Sequence, residues 1–173
     1  DRLTDAWPTH WTGKPNGMAS MVRVDGKTYR LMGPEPKDVP AMEQAGLEVH
    51  PTRTVYRFSC PEVSLRLVFL TPSLPDDLDL LARPVTYISW EVLPADGKEH
   101  SISLYFDATA EAAVNTPDQA VAWAREDGGD LAVLRVGSRD QGVLAKKGDD
   151  LRIDWGYLYA AAPKKSSRQA IAP

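Results

Sequence analysis

The chain has 173 residues, with 20 lysines and arginines against 24 aspartates and glutamates, for a formal net charge of -4. That length suits one domain whose core needs no covalent staple, and basic residues that are scattered rather than gathered into a stripe argue against nucleic acid as a partner. The lone cysteine, Cys60, has no partner for an internal disulfide and no companions at metal-ligand spacing, and no apolar run is long enough for a membrane-spanning helix.

The dominant periodicity is 2, the signature of strands. Met18 to Val24 and Lys27 to Met32 flank Asp25-Gly26, a pair that tolerates the positive φ of a type I′ turn, so they read as a hairpin. The proline-rich stretch from Gly33 to Pro40 breaks regular structure. Strands follow over Gln44 to Val49 and Thr52 to Ser59, separated by His50-Pro51, and then over Val63 to Leu70 after a Cys60-Pro61 turn. Within the last of these, Val63, Leu65, Leu67 and Phe69 share a face. Pro72 to Pro84 suits a connection with at most a short helical turn, read as a crossing between two sheets.

Val85 to Leu93 and His100 to Asp107 read as a second hairpin around Ala95-Asp96-Gly97-Lys98. Glu111 to Val114 is a short candidate strand. Thr116-Pro117-Asp118-Gln119 has the form of a helix N-cap box. The stretch after it, Ala120 to Glu126, nevertheless pairs well with Leu131 to Val136 around Asp127-Gly128-Gly129, so a strand is expected. Leu151 to Ala161 reads as the closing strand, with Ile153, Trp155, Tyr157 and Tyr159 on one face. Ten or eleven short strands without a long helix predict an all-β fold, a two-sheet antiparallel β-sandwich larger than the immunoglobulin type.

Groups able to do chemistry are sparse. His10, His50 and His100 do not stand at a spacing that aims two at one metal, and no metal or other cofactor is expected. His50 and His100 read as solvated turn positions. Asp76, Asp77 and Asp79, and likewise Asp149 and Asp150, read as exposed turn acids, while Asp107, Glu111 and Asp154 stand at strand ends with nothing to bring them together. No nucleophile elbow, phosphate loop or dinucleotide fingerprint is present, so no catalytic residue is nominated. His10 differs from the other histidines, because it lies between Trp7 and Trp11 in an irregular segment containing proline and glycine. Functional loops are built this way on rigid scaffolds. His10, Trp11, Thr12 and Gly13, within the loop Trp7 to Gly17, are the candidates for contact with a substrate cleft.

Several segments carry a family resemblance in order along nearly the whole chain. They are Leu3-Thr4-Asp5 leading to His10-Trp11-Thr12-Gly13, Val24-Asp25-Gly26-Lys27-Thr28-Tyr29-Arg30 with Met32-Gly33, Pro51-Thr52-Arg53-Thr54, Phe69-Leu70-Thr71-Pro72 and Arg83-Pro84-Val85-Thr86-Tyr87. The most specific is Lys146-Lys147-Gly148-Asp149-Asp150-Leu151-Arg152-Ile153-Asp154-Trp155-Gly156-Tyr157-Leu158-Tyr159. Together they resemble the amino-terminal β-domain of the glutaminase A family.

The resemblance implies a supersandwich-like domain over residues 1–162 and a linker over 163–173 toward a carboxy-terminal helical toroid of the six-hairpin type, the expected partner in the same polypeptide. It implies a secreted or periplasmic hydrolase parent that converts L-glutamine to glutamate and ammonia, with this region inactive by itself and the small-molecule substrate bound mainly by the helical domain. It also implies a short preceding segment, so the domain's first strand is expected to lie outside this chain. The start at Asp1 and the polar run Lys164 to Gln169 fit an excised piece of a longer protein. An alternative from architecture is a carbohydrate-binding or accessory domain of a glycoside-hydrolase-like enzyme, with Trp11, Trp123 or Trp155 stacking on sugar rings. A purely structural wedge between domains is a third reading.

Overall fold

The computed structural model describes residues 2–172; Asp1 and Pro173, the outer ends of the expected domain and linker, lie outside them. Ten strands are present among the described residues: β1 (Met18–Val24), β2 (Lys27–Met32), β3 (Glu43–His50), β4 (Arg53–Ser59), β5 (Val63–Leu70), β6 (Tyr87–Pro94), β7 (Ile102–Ala108), β8 (Val121–Gly128), β9 (Leu131–Ser138) and β10 (Leu158–Pro163). Among those residues helix is confined to α1 (Leu78–Leu81) and a 3-10 turn at Ala110–Ala113. The expected antiparallel, nearly all-β fold is what the chain adopts, arranged as three sheets. Two compact units result, one of residues 2–6 with Ala19–Phe106, the other of Trp7–Met18 with residues 107–172.

The first unit is a sandwich of a three-stranded sheet, β2-β1-β7, and a four-stranded sheet, β3-β4-β5-β6. Asp25 and Gly26 take φ of 48° and 90° and close the expected β1–β2 hairpin, with Val24 opposite Lys27. Strict alternation on β5 buries Val63, Leu65 and Leu67 and exposes Ser64 and Arg66. Register then aligns Phe58, Leu65 and Val92 in one row and Tyr56, Leu67 and Trp90 in the next. Val22, Val24, Tyr29 and Leu31 meet these rows from the other sheet. Each such side chain contributes about 1.5–3 kcal/mol by leaving water. Cys60 packs against this core, and burial pushes its thiol above the ordinary range, as suits an inert side chain closing a turn.

Two connections are exchanged relative to expectation. Pro72 to Pro84 does not cross between sheets, because β5 and β6 pair directly along their whole length, Val63 opposite Pro94 and Leu70 opposite Tyr87. Its short helical turn is present, with the Asp77 carboxylate accepting from the Leu80 amide at the N-cap. The true crossing is the Asp96-Gly97 segment, where a hairpin was expected. β6 belongs to the four-stranded sheet and β7 to the three-stranded one, so the turn signal is real but the strands flanking it take different partners.

The second unit carries the sheet β10-β9-β8. Its β8–β9 hairpin is the expected one, with Gly128 opposite Leu131 and Gly129 at φ 70°. Beyond β10, Gln169 donates to the Ala132 carbonyl at 2.7 Å and Lys164 meets the Asp127 carboxylate at 2.5 Å, so the polar run expected as linker lies along this sheet.

One expected strand of this unit is absent and another is shortened, because side chains occupy the backbone groups a ladder would use. Glu111 to Val114 is not a strand. Its Glu111 and Val114 carbonyls accept from the Arg152 guanidinium, and Ala110–Ala113 coils into the 3-10 turn. The closing strand begins at Leu158, seven residues after the expected start at Leu151. The Arg152 amide donates to the Asn115 side chain, and the Gln141 carboxamide accepts from the Gly156 amide at 2.7 Å and donates to its carbonyl at 3.1 Å. Gly156 itself has φ 85°, outside the strand region.

Candidate functional site

The loop from Trp7 to Gly17 folds back on itself as a short finger. The Asn16 amide donates to the Pro8 carbonyl at 2.7 Å, Thr9 and Pro15 form an antiparallel bridge, and the His10 amide donates to the Lys14 carbonyl at 2.8 Å. Gly13, at φ 81°, closes the tip by donating to the His10 carbonyl. The four candidates therefore sit together. His10 Nδ1 meets the Thr12 hydroxyl at 3.0 Å, and its ring lies 5.4 Å from the Trp11 ring. Trp11 is 73% exposed at the tip. Two surface depressions of about 300 and 310 Å³ are lined by residues outside the finger. Among the described residues no group of three or more His, Cys, Asp or Glu side chains is placed to hold a metal ion. Among the same residues no helix is long and apolar enough to cross a membrane.

What holds the finger is a polar hub that pattern reading passed over. Arg152 is only 6% exposed, and its guanidinium donates to the Pro15 carbonyl at 2.9 Å, the Asn16 side-chain oxygen at 3.2 Å, the Val114 carbonyl at 3.0 Å and the Glu111 carbonyl. A rigid fork with five donors is what such a set of carbonyls requires. Beside it Asp154, also buried, accepts from Lys146 at 2.6 Å and Gln119 at 2.9 Å, and these partners hold its carboxyl below the usual range. Gln119 in turn accepts from the Asn115 and Thr116 amides. This is half of the capping box the sequence shows, although β8 and not a helix follows. Ile153, between the two buried charges, is 64% exposed, the reverse of the expected alternation.

Gly17 anchors the finger's return. Its amide donates to the Glu111 carboxylate at 2.8 Å, and the Thr109 hydroxyl donates to the same oxygen at 3.0 Å. A Cβ at Gly17 would stand 2.6 Å from Thr109 Cγ2 and 2.9 Å from its hydroxyl oxygen. Gly17→Ala is expected to cost about 1–3 kcal/mol through this overpacking, read as a lower urea midpoint with increased amide exchange at Gly17 and Thr109. An unchanged midpoint would show that Thr109 gives way freely.

The other sequence-noted groups are dispersed. Asp149 and Asp150 are exposed, the Asp150 carbonyl accepting from Lys14 at 3.3 Å. His50 lies at the end of β3, exposed and 3.6 Å from Glu48. His100 is not a solvated turn residue: its side chain is 7% exposed, between two carboxylates. Of the remaining tryptophans, Trp123 on β8 is 59% exposed, while Trp90 packs against the first unit's core.

Over 146 residues the chain is 34% identical to Glutaminase A of Aspergillus oryzae, an alignment that takes in 84% of this chain. The chain spans only 19% of that relative's length. No solved structure matches it. Residues 52–172, well over half of the chain, match the family described as Domain of unknown function (DUF5127), and the chain therefore belongs to the DUF5127 family.

Proposed function

We propose that this chain is the amino-terminal, non-catalytic β-sandwich region of a glutaminase-A-like hydrolase, which supports a helical catalytic domain and lends its Trp7 to Gly17 finger to that domain's cleft. The parent, secreted or periplasmic on this reading, hydrolyses L-glutamine to glutamate and ammonia. The observation that carries it is the finger itself. An indole exposed at the tip of a loop with its own hydrogen-bonded turn, braced from below by Arg152, is a pre-organised anchor for a second surface. The likeness to Glutaminase A supports the parent's chemistry.

Two assays test this. Ammonia release from L-glutamine is expected from the full-length parent and not from this chain alone; activity in the chain would overturn the non-catalytic reading. Trp11→Ala in the parent is expected to lower turnover on the order of tenfold by misplacing the cleft wall, with the thermal midpoint unchanged. Unaltered kinetics at unaltered stability would remove the finger from the cleft.

A second reading, a carbohydrate-binding or accessory domain of a glycoside-hydrolase-like enzyme, is favoured by the exposure of both Trp11 and Trp123. It predicts a shift of tryptophan fluorescence on glycan titration that Trp123→Ala or Trp11→Ala abolishes.

A further inference from the structure

At one end of the first unit three turns converge. The β1–β2 turn brings Asp25, the β4–β5 turn brings Glu62, and the β6–β7 crossing brings Ala95, Asp96, His100 and Ser101. The Asp25 amide donates to the Ser101 carbonyl at 3.0 Å, the Ser101 amide to the Asp25 carboxylate at 2.8 Å, and the Ala95 amide to the Glu62 carbonyl at 2.8 Å. At the centre is His100. Its Nδ1 lies 2.6 Å from the Asp25 carboxylate and its Nε2 lies 2.8 Å from that of Asp96.

Only the doubly protonated imidazolium satisfies both contacts. A neutral ring has one N–H, so its other nitrogen would turn a lone pair toward a carboxylate. We propose that the Asp25–His100–Asp96 bridge is a pH-operated latch, which closes the sandwich end when His100 is protonated and releases the β6–β7 crossing when it is not. This device is independent of the finger and of the glutaminase reading.

The surrounding charges agree in sign. Hydrogen bonding to Asp25 and then to Asp96 raises the His100 pKa above its ordinary value, and bonding to His100 lowers that of each aspartate. From the β4–β5 turn Glu62 also faces the imidazolium electrostatically, and its own pKa is lowered chiefly by the Cys60 thiol. Two cations offset these acids in part. Lys98 lies 3.7 Å from Asp96, and Lys27, over the Tyr29 ring, acts on Glu62. With His100 neutral, Asp25 and Asp96 are left as two like charges on two turns, and their repulsion opens the contact.

The direction with pH follows from linkage. His100 is raised in the folded state, so its contribution is complete below the unfolded value near 6.5 and is lost as pH climbs through the folded value. The aspartates are lowered, so theirs is complete above about 3.8 and is lost only as pH falls through their folded values. The latch is closed between these limits and opens toward alkaline pH.

Amide exchange of the full chain at pH 6 and pH 9, corrected for intrinsic base catalysis, tests it without a mutation. Protection at Asp25 and Ser101 is expected to fall at least tenfold while that at Leu67, in the core, holds. His100→Asn is expected to show the low value at both pH values, and Asp96→Asn to shrink the pH effect. Constant protection at Asp25 and Ser101, or an equal loss at Leu67, would overturn the latch. So would an unchanged pH response in His100→Asn.

Discussion

Arg152→Ala lowers the free energy of unfolding by about 3–4 kcal/mol, the upper part of the range for single substitutions. Removing the guanidinium strands the Pro15, Val114 and Glu111 carbonyls and the Asn16 side-chain oxygen together, in a site only 6% exposed. Water readmitted to the hole satisfies some of these groups at the cost of the packing around them. Arg152→Lys keeps the charge but replaces a planar fork by a point donor, and is expected to lose about 2 kcal/mol. Urea unfolding measures both losses. Amide exchange then distinguishes bracing from bulk stability: the His10 and Gly13 amides, bonded within the finger, lose protection in Arg152→Ala well before global unfolding. If they keep it, the finger is held by its own turn and the hub is irrelevant to it.

The consequence for function runs through the same residue. On the proposed reading Trp11 serves a cleft wall only if its finger is rigid, and the brace comes from residues more than 130 positions away in sequence, Arg152 to Pro15 and Asn16, and Asp150 to Lys14. That distance explains what was legible and what was not. The hairpin at Asp25-Gly26 and the alternation of β5 are local, and both were readable. His10 to Gly13 stood out for local reasons too, as aromatics in an irregular segment.

The misreadings share a cause. Asp96-Gly97 carries the same turn signal as Asp25-Gly26, but which sheet a strand joins is settled by partners far away, so β6 and β7 went to different sheets. Leu151 to Tyr157 alternates like a strand, yet Arg152 and Asp154 are the buried members because Asn115, Gln119 and Gln141 supply the hydrogen bonds they and their neighbours need. His100 looked solvated because Asp25, one of its two partners, is 75 residues away. Polar burial is decided by satisfaction of donors and acceptors, and hydrophobic period is blind to it.

Phe58→Ala is the corresponding test of the apolar part, with an expected loss of about 3–5 kcal/mol. Phe58 is 1% exposed, lies opposite Leu65 and Gln44 in the register of the four-stranded sheet, and stacks on Tyr56 with ring centroids 6.4 Å apart. Truncation removes a full ring from a place where both sheets supply neighbours, and the pleat fixes the strand on either side, so collapse around the hole is limited. Phe58→Leu retains most of the volume and is expected to cost less than half as much. Trp123→Ala is the internal control, since an indole 59% exposed on β8 buries little area to lose and its removal is expected to change stability by about 0.5 kcal/mol or less. Denaturant midpoints for the three variants give the order directly. A loss at Trp123 as large as that at Phe58 would mean that the second unit's sheet is packed far more tightly than its exposure indicates, and a small loss at Phe58 would mean that the sandwich repacks around the missing ring.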